Sequence, residues 1–180
     1  YSIALGGNNV ASGNYSTAMG AGTLASGNYS TAMGTGTTAS GSNSTALGNF
    51  VSTNNQTGAF VIGDNSTAAL MTSTTPNTFR ARFANGYRLY TSSNLTTNCL
   101  LSGGANAWST ASDVHLKENF ADINGEEFLK SIAAMKLTSW NYKTQDAKTF
   151  RHYGPMAQDF YAAFGKDKFG TIGNDSTINS

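Results

Sequence analysis

One five-residue pattern recurs at a strict interval of 14 residues: SIALG at 2–6, STAMG at 16–20 and again at 30–34, and STALG at 44–48. Gly13, Gly27 and Gly41 mark the half-period. A fifth, looser copy, AFVIG at 59–63, is displaced by one residue, which places an insertion in the loop FVSTNNQTG, and the array is then expected to stop. Fourteen residues are too few for a helix pair with its turns. They suit two short strands of about five residues joined by two tight Gly/Asn turns, so each repeat reads as one coil of a solenoid. Side chains alternate along a strand, which sets Ala4, Ala18, Ala32, Ala46 and Val61 on one face and Leu5, Met19, Met33, Leu47 and Ile62 on the other. The small residues fill a flattened coil. The Leu/Met row is left as an apolar stripe that one chain cannot bury, and self-association is the expected remedy.

Composition agrees with an ordered repeat. Leu, Ile, Val and Phe make up only 31 of the 180 residues, a level that signals disorder when net charge is high, but here the net charge is +1. Of the charged residues only Asp64 precedes Arg80, so Asn, Ser and Thr must keep the first half soluble. A flexible Gly/Ser/Asn linker would not hold Ala-Leu/Met-Gly in phase over four coils. The single cysteine, Cys99, excludes an internal disulfide framework and reads as a buried small apolar residue. There is no basic stripe for nucleic acid and no apolar run of membrane-spanning length. The two histidines, His115 and His152, are too few for a histidine metal cluster, and no cofactor is expected. Tyr1 begins in mid-pattern and the last residues carry no stop signal, so the chain reads as a segment of a longer protein, with any export signal removed or upstream.

After Thr67 the period is lost, and TSTTPNTF with Pro76 reads as a joint. The segment RARFANGYRLYTS alternates large and polar residues around Asn85-Gly86, a hairpin signal that predicts paired strands at 79–83 and 87–92. Leu100, Leu101 and Trp108 add apolar residues around the Gly103-Gly104 turn. Further on, Asn124 is a candidate cap for a helix with Glu126 and Glu127 in its first turn and Phe128, Ile132 and Met135 on one face. LTSWNYK at 137–143 alternates like a strand. Pro155 at a first helical position opens a second helix that Gly165 closes.

The stretch SDVHLKENF, 112–120, stands at the border between the uncharged and charged parts, and three readings compete for it. Ser-Asp at a junction is a common turn or helix cap and Lys-Glu-Asn a solvated face, which the residues alone favour. A Ser/Lys dyad would use the Ser112 hydroxyl as nucleophile and an amine of lowered pKa, Lys117, as base. Five positions apart, the two side chains need a bend or a neighbouring chain to meet. A metal site from Asp113, His115 and Glu118 has no recognisable ligand spacing and is discounted.

Two resemblances add to this reading. S-x-A-[LM]-G with a glycine half a period away resembles the head repeats of trimeric autotransporter adhesins over residues 1 to about 66, implying a left-handed parallel β-roll with three chains around a threefold axis. S-D-x-x-L-K-x-N at 112–119, followed by R-H-x-G-P-x-A-Q-D-F at 151–160, resembles the chaperone of endosialidase family, C-terminal domains of phage tail spikes, tail fibres and related bacterial surface proteins. That resemblance implies a domain that trimerises, helps an upstream β fibre fold and then cuts itself off. Ser112 would be the nucleophile and Lys117 its base, and Asp113, Asn119, His152, Gly154, Gln158 and Asp159 match further motif positions. The bond cut would be Ala111–Ser112 or Ser112–Asp113.

The expected fold is therefore mainly β, then α+β. It comprises a trimeric left-handed parallel β-roll of 14-residue coils (1–66), a joint and β-hairpin neck (67–111), and a small mixed α/β chaperone domain truncated at its C-terminal end (112–180). The expected function is attachment by a homotrimeric extracellular fibre, on a cell surface, virion or injection device, with a glycan or protein as receptor. Exposed Asn, Thr and Tyr, among them Tyr15 and Tyr29, are candidates for glycan contact, although surface ladders that stabilise the roll are the favoured reading. An uncut structural trimer and a polysaccharide-degrading spike are the alternatives. The spike is disfavoured because glycoside hydrolysis usually needs two carboxylates and residues 1–111 offer only Asp64.

Overall fold

Long and short strands alternate from the first coil onward. The long ones are β1 (Ile3–Gly7), β3 (Thr17–Ala21), β5 (Thr31–Thr35), β7 (Thr45–Asn49), β9 (Phe60–Gly63) and β11 (Phe79–Arg82). Between them lie the two-residue strands β2 (Val10–Ala11), β4 (Leu24–Ala25), β6 (Thr38–Ala39), β8 (Val51–Ser52) and β10 (Met71–Thr72). This computed structural model describes residues 1–109, 114–166, 170, 171 and 174–176 and divides into two units, Tyr1–Ser112 and Asp113–Ser180.

The first unit is a β-solenoid. Its long strands form one six-stranded parallel sheet and its short strands a second, five-stranded one. The register repeats by one coil: Ala4 pairs with Ala18, Ala18 with Ala32, and Ala32 with Ala46. Thr45 pairs with Phe60, so the inserted residue is absorbed in the fourth coil's loop. The strands are unequal rather than both near five residues, because the corners take up the Gly- and Asn-rich half of each repeat. Ala18, Ala25, Ala32, Ala39 and Ala46 are fully buried together with Val51 and Val61, and Met71 packs against them partly buried. A buried methyl contributes roughly 0.8 kcal/mol, so this narrow core leans on its ladders of hydrogen bonds. Serines close the corners from inside: Ser16 Oγ donates to Gly13 O at 2.7 Å and Ser44 Oγ to Gly41 O at 2.6 Å.

Close approach between coils explains the glycine row. A Cβ added to Gly20 or Gly34 would lie 2.0 Å from the carbonyl oxygen of the glycine below it, Gly34 or Gly48. At the corner before each long strand, Tyr15, Tyr29 and Asn43 share a left-handed conformation, with φ of 56°, 58° and 53°. The rings of Tyr15 and Tyr29 stack 5.3 Å apart and 7° from parallel. Their facing sides are turned to each other, in the manner of a stabilising ladder.

Three expectations change here. The array does not stop after AFVIG: β10 pairs with β8 and β11 with β9, so the parallel ladder runs to Arg82. Residues 79–83 consequently do not form a hairpin with 87–92. The alternation of FRAR fits the next rung of the roll as well as a hairpin arm, and Phe79 and Arg80 take their places beside Phe60 and Val61. The Asn85-Gly86 turn does exist, closed by Gly86 N donating to Phe83 O. The strand that leaves it, β12 (Gly86–Tyr90), pairs instead with β13 (Asn98–Ser102), and this is the neck hairpin. Cys99 is exposed rather than buried, because this two-stranded sheet leaves a face uncovered in one chain.

The second unit opens with a 3-10 turn at Val114–Leu116. Helix α1 (Gly125–Ala134) is capped by Asn124, whose side chain accepts from the amides of Glu126 and Glu127. Strands β14 (Thr138–Trp140) and β15 (His152–Gly154) form an antiparallel pair, and α2 (Ala157–Phe164) follows. Pro155 precedes the cap residue Met156, which is extended, so the helix starts two residues after the proline. Phe128 stacks on Phe164 at 4.4 Å and joins the helices. None of the described apolar side chains of this unit is buried.

Candidate functional site

Of the residues expected to carry the chemistry, Ala111, Ser112 and Asp113 lie outside the described residues. Lys117 follows the 3-10 turn, its amide donating to Val114 O at 3.1 Å, and its side chain is exposed. His115, Glu118 and Asn119 are exposed on the same stretch, and Asn119 adopts a left-handed φ of 58° that redirects the chain after the turn. Among the described residues no three His, Cys, Asp or Glu side chains converge as a metal site would require.

The second motif block is organised around His152. Its register across the two-stranded sheet puts it opposite Trp140, and the rings stack at 4.6 Å and 21°. Tyr142 meets the imidazole edge-on at 5.5 Å. The Nε2 atom lies 3.0 Å from Gln145 Oε1, within hydrogen-bonding distance. Gln145 is held in turn: its Oε1 accepts from Tyr142 N, and its backbone carbonyl accepts from Asn141 Nδ2. Trp140 Nε1 is shielded from water with no hydrogen-bond partner among the described residues. Asp146, next in sequence, has its pKa lowered because its carboxylate accepts from Lys148 N and from the Thr149 hydroxyl.

The remaining motif residues have local roles. Gly154 ends β15 opposite Thr138, Gln158 is exposed in the first turn of α2, and Asp159 Oδ2 accepts from Met156 N at 3.4 Å, securing the helix start. The structure thus gathers His152, Gln145, Trp140 and Tyr142 into one aromatic and polar cluster. Trp140 and Tyr142 both fall in the alternating stretch 137–143, but β14 ends at Trp140, so strand alternation does not account for the place of Tyr142. Gln145 comes from a turn and left no such trace.

Comparisons with known proteins fit both halves. Residues 112–167 match the family model for the chaperone of endosialidase, and residues 1–23 and 25–50 match two copies of the YadA head domain repeat. No curated protein and no solved structure matches the chain. The fold and these matches define the class: a β-solenoid with repeats similar to adhesin heads, followed by a region similar to a folding chaperone of fibre proteins. The resemblances drawn from S-x-A-[LM]-G and from the two C-terminal motif blocks fall within the matched segments.

Proposed function

We propose that the chain is a homotrimeric extracellular fibre segment used for attachment, at the surface of a cell, virion or injection device. Its C-terminal region acts as an intramolecular chaperone that drives the trimer to fold and then cuts itself off next to Ser112. The observation that carries this reading is the apolar surface one chain leaves open. Leu5 and Met33 are 54% and 41% exposed on the outer face of the long-strand sheet, in line with Met19, Leu47 and Ile62. In the second unit Leu137 is 72% exposed, and Phe120, Ile123, Leu129 and Tyr153 also face water. Contiguous apolar surface of this kind is covered in stable proteins, and identical copies around an axis cover it symmetrically.

Near-identical coils can pair in more than one register, and non-local β pairing is slow and prone to error. A charged unit that joins three C-termini would set the register before the coils zip. In that assembly Lys117 would accept the Ser112 hydroxyl proton. Attack of Ser112 Oγ on the Ala111 carbonyl would break the peptide C–N bond, pass the proton to the departing amine and leave an ester for water to hydrolyse; the neighbouring Ser112–Asp113 bond is the other candidate. His152 and Gln158, with Asp113 and Asn119, would support the site.

The polysaccharide-degrading alternative loses ground in the structure. Asp64 is bound to the Arg82 side chain and the Ala84 amide and held at about 2, far too acidic to protonate a leaving group near neutral pH. Intact-mass measurement of the purified protein tests the proposal directly. Two fragments whose masses sum to that of the full chain plus one water, replaced by a single full-length species in Ser112→Ala, are expected. A full-length mass in the unaltered protein would favour the uncut structural fibre, and unchanged processing of Ser112→Ala would exclude the dyad.

A further inference from the structure

The roll ends in a way its repeats do not foreshadow. Register along the long-strand sheet aligns Gly6, Gly20, Gly34, Gly48 and Gly63 in one row, and the next member is Arg82. In the parallel row, Ala4, Ala18, Ala32, Ala46 and Val61 are followed by Arg80. A Cβ on Gly6, Gly20, Gly34 or Gly48 would fall 1.9–2.2 Å from the carbonyl oxygen of the next glycine. At those four positions a side chain is incompatible with the rung that follows, whereas Arg82 stands on the edge strand, with no further rung of the sheet beyond it.

Arg82 uses this position to reach back over the coils before it. Its Nη2 donates to Asn49 O at 3.1 Å and to Asp64 O at 3.0 Å, its Nη1 to Ala69 O at 2.8 Å, and its Nε to Asp64 Oδ1 at 3.1 Å. Asp64 is fixed by the Ser66 hydroxyl at 2.7 Å and by Ala84 N at 2.7 Å, the latter on the far side of the arginine. Arg80 covers two more acceptors, Thr72 O and Thr74 Oγ1. One guanidinium thus ties together β7 through Asn49, the segment after β9 through Asp64 and Ala69, and β11 itself. β11 has a ladder neighbour on one side only, and any pull transmitted through the neck enters the roll there.

We infer that Arg82 is a staple that keeps the terminal rung from peeling off the roll, with Asp64 as its anchor. This is a property of one chain, independent of whether the trimer forms or cuts itself. Hydrogen–deuterium exchange on the full chain tests it, comparing peptides across 60–82 with peptides across 17–39 as an internal reference. Arg82→Gly restores the residue that the row carries elsewhere, so it leaves the backbone at ease while removing the staple. It is expected to speed exchange across 60–82 by about tenfold or more, without change in 17–39. Arg82→Lys keeps the charge but loses the fork that serves four acceptors at once, and most of the same acceleration is expected. Unchanged exchange in Arg82→Gly would overturn the inference. So would acceleration throughout the roll, which would mark a general contribution to stability, and full protection by Lys would overturn the role of the fork.

Discussion

Tyr15 and Tyr29 occupy a left-handed backbone position that Asn43 and Gly58 fill at lower cost in later coils, Gly58 having a φ of 66°. The conformation costs a bulky residue about 1–2 kcal/mol, and an aromatic pair returns about 0.5–1.5 kcal/mol. Tyr15 has two ring neighbours, Tyr1 at 6.0 Å and Tyr29, whereas Tyr29 has Tyr15 alone. Tyr29→Asn should therefore leave stability close to unchanged. Tyr15→Asn should lower it by about 1 kcal/mol, a difference that paired denaturant titrations would resolve. Asp64 makes a prediction about pH. The Ala84 amide first, then the Ser66 hydroxyl and the Arg82 side chain, pull its pKa from 3.8 to about 2. A depressed carboxylate stabilises the fold fully above its unfolded pKa, and that contribution is lost as pH falls through the folded value. Protection across 60–82, taken relative to the intrinsic exchange rate at each pH, should hold constant from neutral pH to about 4 and fall as pH approaches 2.

At the scale of elements, Gly34 tests how tightly the coils are packed. Gly34→Ala would set a Cβ 2.0 Å from Gly48 O at a φ of +125°, and the three nearest atoms all belong to the Gly48 backbone, which cannot swing away. A loss of about 3 kcal/mol or more is expected, read as a fall in the denaturation midpoint. The repeat and α1 were legible in the sequence because several signals agreed. Spacing, small inward residues and glycine phase all indicated coils, and a cap, an acidic first turn and an apolar face all indicated a helix. The last rung was not legible. Asn85-Gly86 gave a strong local turn signal, while the true partner of 79–82 is a strand reached across a long loop, and parallel pairing leaves no mark between neighbouring residues. The same holds for Cys99, whose burial depended on cover that a two-stranded hairpin does not supply. Ser112 and Lys117 were visible only through resemblance to a family, since five positions in a row say nothing about which side chains meet.

For the whole molecule, the outer Leu/Met row is the point to probe. Met33 lies at its middle, exposed, and contributes nothing to the inside of its own coil. Met33→Glu should keep the β-rich circular dichroism of the roll while lowering the assembly mass measured by light scattering, because the proposed interface would bury like charges close to the axis. An unaltered mass would move the interface to another face. Unequal legibility has a physical root at this scale too: periodicity reveals that a stripe needs a partner, but not which surface supplies it. The register carries one more implication. Every rung from Ile3 to Asn49 sits over its copy 14 residues on. Excising residues 17–30 would seat Thr31 beside Ile3 and shorten the shaft by one strand spacing of about 4.8 Å. Excising one residue fewer would leave a corner loop one residue longer, as the 15-residue step from Thr45 to Phe60 already does, with the inward row kept in phase. Reach in such a molecule is a whole number: heredity can add or drop a coil by copying or losing one coding stretch, but cannot stop between two.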